Sequence, residues 1–267
     1  MIQKGIPYPR ATGAIGGTLL ALTAIAWMLT VHQASSLSMS SSMGAAGSLA
    51  EVAVALPLLV FLAMWVVMMS AMMLPSVMPM VLIYHRVAQS KARASGSLRA
   101  WLGTVFFVMG YFATWASFGL VAYVAGRGLD ALGTVWPALA TERGVLTGAA
   151  LIVAGVYQVT PLKSVCLAHC RSPLSFLTHH WRSGRGAALR MGAEHGIFCV
   201  GCCWGLMLVL FAVGVMNLPW MGLLALIILA EKTLAQGRMI SWAVAGFLMT
   251  AGVLAAVGHL PGLASTM

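Results

Sequence analysis

Long apolar runs separated by short polar segments dominate this chain of 267 residues. A helix that crosses a bilayer needs about 20 predominantly apolar residues, and seven runs come near that length. The predicted spans are approximately 13–31, 57–83, 101–125, 145–161, 195–216, 219–232 and 239–259. The sixth run is short, and only Asn217-Leu218-Pro219, which is typical of a tight turn, separates it from the fifth. The pattern predicts an all-α, polytopic transmembrane helical bundle of about seven helices.

The connecting segments alternate in charge. Segments 84–99 and 162–192 are rich in Lys and Arg, whereas segment 32–56 contains neither and segment 126–144 balances its two arginines with two acidic residues. Because Lys and Arg concentrate in the cytoplasmic loops of membrane proteins, the alternation predicts a cytoplasmic N-terminus and an external C-terminus.

The composition argues against a soluble protein. Hydrophobic residues make up 61% of the chain and charged residues 7%, whereas a soluble domain carries about a quarter charged residues. The net charge of +10 does not indicate a nucleic-acid partner, because the basic residues lie in short segments between apolar runs. The predicted partner is the lipid bilayer. The first apolar run, from Ala14 to Val31, is longer than the core of a signal peptide and no convincing cleavage site follows it, so we interpret it as a retained span.

The densest group of candidate metal ligands lies at the start of the fifth predicted span. On a helix, which turns by about 100° per residue, His195, Cys199, Cys202 and Cys203 fall within roughly a 100° arc. Three sulfur ligands and one imidazole suit Cu(I) or Zn(II). Two other interpretations remain: buried cysteines pack as small hydrophobic residues, and the Cys-x-x-Cys spacing also serves thiol–disulfide exchange.

A second cysteine motif falls in the basic segment that precedes this span. Cys166, His169 and Cys170 have the spacing i, i+3, i+4, so all three side chains could face one way on a helical turn. The predicted topology places this motif on the same side of the membrane as the first one. The sequence therefore predicts that the two motifs share one inward-facing site.

The second predicted span is a methionine-rich helix. Met68 and Met72 lie on one i, i+4 stripe, and Met73 belongs to an adjacent stripe. Thioethers favour Cu(I), which makes these three residues candidate ligands, although methionine also fills space in helix packing. Pro75 and Pro79 are predicted to kink or loosen the helix at the same depth.

Glu194, Glu231 and Lys232 are ionisable residues at or near membrane depth, where such groups need a partner or mark a functional site. Glu231 is predicted to pair with a loop arginine, such as Arg190 or Arg238, or with Lys232. A carboxylate that buffers a cation site is the alternative. Phosphate-binding sequences and a Ser-His-Asp order are both absent from the sequence, so no enzymatic role is indicated.

Five motifs are distinctive enough to compare with known families. They are Trp65–Pro79, Tyr157–Pro173, His195–Trp204, Met216–Leu218 and Glu231-Lys232. Together they resemble the motifs of a bacterial family of predicted metal-binding integral membrane proteins of unknown function. The resemblance covers roughly residues 50–257 and implies a compact helical membrane protein in which Cys and His are the suspected ligands. It divides the chain into residues 1–50, an N-terminal span with an external Ser/Met loop, and residues 51–267, a family-like transmembrane metal-binding domain.

The leading hypothesis is a multi-pass protein of the bacterial inner (cytoplasmic) membrane that binds a soft metal ion near its cytoplasmic face for delivery or transfer. Cu(I) is the first choice and Zn(II) the second. The core ligands would be His195, Cys199, Cys202 and Cys203, with Cys166, His169 and Cys170 as uptake or release ligands and Met68, Met72 and Met73 as a thioether path. The expected protein partner is a membrane metalloenzyme or a soluble metal carrier. Two alternatives stay open: a membrane thiol–disulfide redox protein, and an accessory subunit of a membrane complex whose sulfur residues only pack.

Overall fold

The structure is a computed structural model that describes residues 9–40, 52–54, 56–91, 97–136, 143–181 and 184–258. Within these ranges it contains helices and no strand, so the prediction of an all-α fold is confirmed. The helices are α1 (Pro9–Ser40), α2 (Leu58–Lys91), α3 (Ser97–Val135), α4 (Arg143–Gln158), α5 (Pro161–Arg171), α6 (Pro173–His180), α7 (Arg185–Val213), α8 (Leu218–Thr233) and α9 (Gly237–Ala256).

Five of the described helices, α1, α2, α3, α7 and α9, are long and apolar enough to cross a membrane. A sixth candidate is the pair formed by α4 and α5, which bends by 62° at the break between them. The predicted span 219–232 corresponds to α8, which has only 16 residues. The described residues therefore provide five or six candidate spans where the sequence predicted about seven, and the cytoplasmic N-terminus stays a prediction.

The predicted inner loop 162–192 is largely helical. Pro161 begins α5 because its fixed φ suits the first turn of a helix and its missing N–H would have no partner there. The Thr160 hydroxyl caps the same end by accepting a hydrogen bond from the backbone N–H of Lys163 at 3.3 Å. The structure also begins α7 at Arg185, ten residues before the predicted span. The loop interpretation was wrong because polar and basic residues interrupt the apolar pattern without breaking the helices.

The central helix of the fold is α7, which packs against α3, α4, α5 and α8. Its glycines permit this close approach on two faces. A Cβ atom on Gly192 would overlap the backbone carbonyl of Phe107 on α3, and Gly196 lies against the same helix. Gly201 and Gly205 face α5 and α4 instead. Glycine pairs at this spacing bring helix backbones together in membrane proteins. Here one pair lets α3 approach α7 closely, and the other pair does the same for α4 and α5.

The helix α2 runs without interruption from Leu58 to Lys91, so Pro75 and Pro79 do not end it. Membrane helices tolerate proline where neighbouring helices cover the freed backbone groups, and α2 packs against α1, α3, α6 and α8. The first helix, α1, continues through Ser40, so the beginning of the predicted Ser/Met loop is helical. Residues 41–50 of that loop, and the end of the predicted span 239–259, lie outside the described residues.

Replacing Gly192 with alanine should destabilise the protein by about 1–3 kcal/mol, because the added methyl group meets backbone atoms of α3 that cannot move aside. The matched control is Gly222→Ala on α8, where a Cβ atom would meet nothing within 4 Å. Thermal unfolding of the detergent-purified variants, followed by size-exclusion chromatography, measures the difference. Equal melting temperatures for the two variants would contradict the tight α3–α7 contact.

Candidate metal centre

All five cysteines of the chain meet at the contact between α5 and α7, and all are free thiols. The sulfur atoms of Cys199, Cys202 and Cys203 lie within 4.8 Å of one another. Each of these three residues is at most 2% exposed. Among the described residues, they are the group of His, Cys, Asp or Glu side chains whose ligand atoms are close enough to hold one metal ion together. We call Cys199, Cys202 and Cys203 the thiol cluster.

The cysteines of α5 border the thiol cluster. The Cys170 Sγ atom lies 3.8 Å from the Cys202 Sγ atom, and the Cys170 side chain also interacts with that of Cys199. The Cys166 sulfur covers Gly201, where a Cβ atom would lie only 2.7 Å from it. The absence of a side chain at position 201 therefore lets α5 approach α7. The two predicted cysteine motifs do come together, whereas their role as ligands stays a prediction.

The thiols of the cluster also bond to their own helix. Cys202 and Cys203 donate hydrogen bonds to the backbone carbonyl of Cys199 at 3.1 and 3.0 Å. Because the thiolate is the form that binds a metal, a cation at this position would replace these hydrogen bonds and release protons.

Two polar side chains from other helices contact the Cys199 sulfur. The Lys232 ammonium of α8 lies 3.0 Å from it and also donates to the Ser76 hydroxyl of α2 at 3.2 Å. The Tyr111 hydroxyl of α3 lies 3.1 Å from the same sulfur. Lys232 is only 8% exposed, and a buried cation needs a compensating charge. If Cys199 bound a metal as a thiolate, its negative charge would compensate this cation.

These contacts were only partly foreseeable. Lys232 is a charged residue at the end of an apolar run, which is a recognised indication of function. Nothing in the sequence marks Tyr111 as functional, because a tyrosine in an apolar helix can also be an ordinary packing residue of the core.

His195 lies one turn before Cys199 on α7 and is 2% exposed. Its ring is surrounded by aromatic side chains, with the Phe176 ring 5.3 Å away and the Tyr111 ring 6.1 Å away between centroids. The Nδ1 atom is buried, and no described residue forms a hydrogen bond with it. An unsatisfied buried polar atom costs about 1–3 kcal/mol. The group of side chains close enough to hold one ion together consists of the three cysteines without His195, so the role of His195 as a ligand stays a prediction.

His169 lies outside the thiol cluster. Its ring stacks on Phe198 with centroids 4.2 Å apart, and its Nδ1 atom lies 2.9 Å from the Val165 carbonyl oxygen. It lines a cavity of about 380 Å³ together with His179 and His180. With Nδ1 protonated and donating to the carbonyl, Nε2 keeps its lone pair, which is the usual arrangement of a metal-binding imidazole. The role of His169 as a ligand stays a prediction.

The methionines of α2 that were predicted as ligands are fully buried, with Met68, Met72 and Met73 at most 1% exposed. Ser76 follows Met72 and Met73 by one turn and contacts Lys232. This segment of α2 thus reaches the thiol cluster through the lysine. The thioether path stays a prediction.

Glu231 pairs with Lys163, and the predicted pairing with Arg190, Arg238 or Lys232 was wrong. The Lys163 ammonium lies 2.7 and 2.8 Å from the two carboxylate oxygens, and both residues are at most 2% exposed. The correction follows from the fold, because α5 is a helix beside α8 and buries Lys163 in its first turn. Gln158 contacts both partners of this pair, and Ser241 donates to the carboxylate at 2.8 Å.

A comparison with protein families shows what the chain is similar to. A family model described as "Copper chaperone" (PpoB2) matches residues 62–255, a segment that contains all five cysteines. No curated protein matches the chain, and no solved structure matches it.

Mild oxidation of the purified protein should join Cys170 to Cys202. Their sulfur atoms are 3.8 Å apart, so a small side-chain rotation brings them to the disulfide length of about 2.05 Å. Diamide takes up the two electrons and two protons, and mass spectrometry of non-reduced peptides identifies the link. The link should persist in Cys166→Ser and disappear in Cys170→Ser. A predominant link through Cys166 would contradict the described geometry.

Proposed function

The chain belongs to the copper chaperone family, and we propose that it is a membrane protein that binds Cu(I) at the thiol cluster and passes it on. The observation that carries this proposal is the burial of three thiols whose sulfur atoms lie within 4.8 Å of one another. A fourth thiol, that of Cys170, borders them.

The donor set suits a soft ion. Thiolate and thioether ligands select Cu(I), whereas carboxylate and carbonyl oxygens select hard cations. The thiol cluster supplies the sulfur. His195, one turn before Cys199 on α7, has a buried Nδ1 atom without a partner among the described residues, and Met72 and Met73 precede Ser76 by one turn on α2. Zn(II) is the second candidate, because Cys170 as a fourth ligand would complete the four-coordinate set that structural zinc prefers.

Lys232 places a positive charge beside the thiol cluster, which would be negatively charged with Cu(I) bound. Two thiolates and one Cu(I) ion carry a net charge of −1, and a third thiolate makes it −2. Burying such a charge is unfavourable unless a counter-charge is close. The Lys232 ammonium, 3.0 Å from the Cys199 sulfur, provides it. In this proposal the lysine stabilises the copper-loaded state without binding the metal.

The position of α5 indicates how the ion would enter and leave. The three residues of the thiol cluster are buried, whereas Cys166, His169 and Cys170 on α5 are half-buried. A partner would therefore meet the α5 ligands first, and copper would pass between them and the thiol cluster by thiolate exchange. We propose that the protein lies in the bacterial inner membrane, and that the partner is a membrane metalloenzyme or a soluble carrier.

The 3.8 Å distance between the sulfurs of Cys170 and Cys202 also favours a second candidate, a membrane thiol–disulfide redox protein. Trapping of thiols in cells distinguishes the two functions. A steady-state population of the oxidised pair supports the redox function, and fully reduced thiols with bound copper support the chaperone function.

Purified wild-type protein should retain close to stoichiometric copper, and the variant with Cys199, Cys202 and Cys203 all changed to serine should retain almost none. Serine hydroxyls are hard, weak donors for Cu(I). The matched control is Cys166→Ser, whose sulfur lies over Gly201 rather than within the cluster, and which should keep its copper. Elemental analysis measures the content. Equal copper in the wild type and the triple variant would refute the proposal and favour a purely structural role for the thiols.

Replacing Lys232 with methionine should weaken Cu(I) binding roughly tenfold or more, because hydrogen bonds to a charged group contribute about 1.5–3 kcal/mol. Lys232→Arg keeps the charge and should lose less. The control Ser76→Ala removes the other partner of the ammonium but leaves its charge beside the sulfur, so its affinity should stay close to that of the wild type. Competition with a chromophoric Cu(I) chelator measures all three affinities, and an unchanged affinity in Lys232→Met would remove the role of the lysine.

A further inference from the structure

A second cavity, of about 520 Å³, lies where α4 breaks into α5. Its walls come from the break itself, from α5 and from the first turns of α9, and none of its lining residues is a cysteine. The volume falls within the range of sites that hold a small molecule or a headgroup, roughly 300–1,000 Å³. This cavity is separate from the thiol cluster and has no part in the proposed copper chemistry.

The lining of the cavity is cationic. Lys163, Arg171 and Arg238 all contribute to it, and its lining includes no Asp or Glu. The charge of Lys163 is compensated by Glu231. Neither arginine takes part in an ion pair among the residues that the structure describes. Two positive charges therefore remain for an anionic ligand.

Arg171 is held in place before any ligand binds. Its Nη2 atom donates to the backbone carbonyl of Leu234 at 2.6 Å and to that of Ala235 at 3.3 Å. Gly237 leaves room for the guanidinium, since a Cβ atom at this position would lie 2.6 Å from Nη1. The bonds of Arg171 to described residues involve Nη2 only, which leaves Nε and Nη1 for a ligand, and a fixed guanidinium is well suited to phosphate.

Apolar side chains beside the cavity are exposed. On α9, Met239 is 71% exposed and Trp242 is 58% exposed, and on α5, Leu162 is 60% exposed. Trp242 also lines the cavity. Tryptophan is enriched where a membrane protein meets the headgroup region, and basic pockets between membrane helices bind the headgroups of anionic lipids. A cationic pocket bordered by an apolar exposed surface matches the two ends of a phospholipid.

We infer that this cavity binds the phosphate-containing headgroup of an anionic phospholipid between Arg171 and Arg238, with the acyl chains along Met239 and Trp242. The inference relies on the membrane location in the proposed function and is independent of copper. Lys163 and Ser241 line the cavity and both contact Glu231. A bound lipid therefore joins α5 to α8 and α9 and should stabilise that junction.

The test uses the full chain, purified in a neutral detergent, and adds phosphatidylglycerol, phosphatidylcholine or inorganic phosphate. Native mass spectrometry counts the retained lipid, and thermal unfolding measures stabilisation. Phosphatidylglycerol should be retained at one molecule per chain and raise the melting temperature, whereas phosphatidylcholine should do neither. Arg238→Gln should reduce the retained fraction about fivefold, the contribution of one basic residue near an anionic lipid, and Arg238→Lys should restore most of it.

The matched control is Arg185→Gln, because Arg185 is an exposed arginine at the start of α7 that does not line the cavity. It should retain as much phosphatidylglycerol as the wild type. Equal retention of both lipids, or an Arg238→Gln variant that behaves like the wild type, would overturn the inference. Stabilisation by inorganic phosphate equal to that by the lipid would replace the phospholipid by a soluble phosphate. Thiol variants that have lost copper should still bind phosphatidylglycerol as the wild type does. A negative result for copper therefore does not refute the lipid site, and a negative result for lipid does not refute the copper site.

Discussion

The candidate site depends on the close approach of α5 to α7. Two cysteines lie on the first helix and three on the second, and they meet because Gly201 presents no side chain to Cys166. The approach also requires α5 to turn away from α4, which it does by 62° at the break before Pro161. A continuous helix through this point would carry Cys166 and Cys170 along the axis of α4, in a different direction from the one that α5 takes. Proline and glycine thus position the sulfur atoms, although neither bears any of the chemistry.

The C-terminal end of α8 provides two buried charges in consecutive positions. Successive residues on a helix point about 100° apart, so Glu231 and Lys232 face different neighbours. Glu231 meets Lys163 in an ion pair between α8 and α5, while Lys232 meets the Cys199 sulfur. Removing one partner of a buried pair is strongly destabilising, so the first contact holds α5 against the bundle. The second places a positive charge at the thiol cluster. The short helix α8 therefore fixes the position of α5 through Glu231 and contributes Lys232 to the surroundings of the thiol cluster.

The apolar runs predicted the helices well, because these helices carry apolar side chains both on the faces that pack in the bundle and on the faces that are exposed. Their ends were less predictable. Arg190, for example, fell in the predicted loop 162–192 but lies within α7, where it donates a hydrogen bond to the Glu194 carboxylate at 2.9 Å. The grouping of Cys199, Cys202 and Cys203 followed from helical spacing alone. Contacts between distant segments could not be predicted in this way. Lys163 and Glu231 are 68 residues apart, and nothing in a single sequence selects Lys163 over the other basic residues as the partner of Glu231.

A copper chaperone has to satisfy two opposing requirements, and the arrangement of the sulfurs addresses both. Holding Cu(I) against oxygen and competing ligands favours full burial, as in the thiol cluster. Releasing it to a partner favours ligands that solvent or another protein can reach, and Cys166 and Cys170 are half-buried. If the proposed function holds, the 3.8 Å distance between the sulfurs of Cys170 and Cys202 would let a thiolate of α5 bind the ion before one of α7 leaves it. Under the proposed function, copper then moves by ligand exchange along a continuous set of sulfurs and never has to cross the apolar core as a free ion.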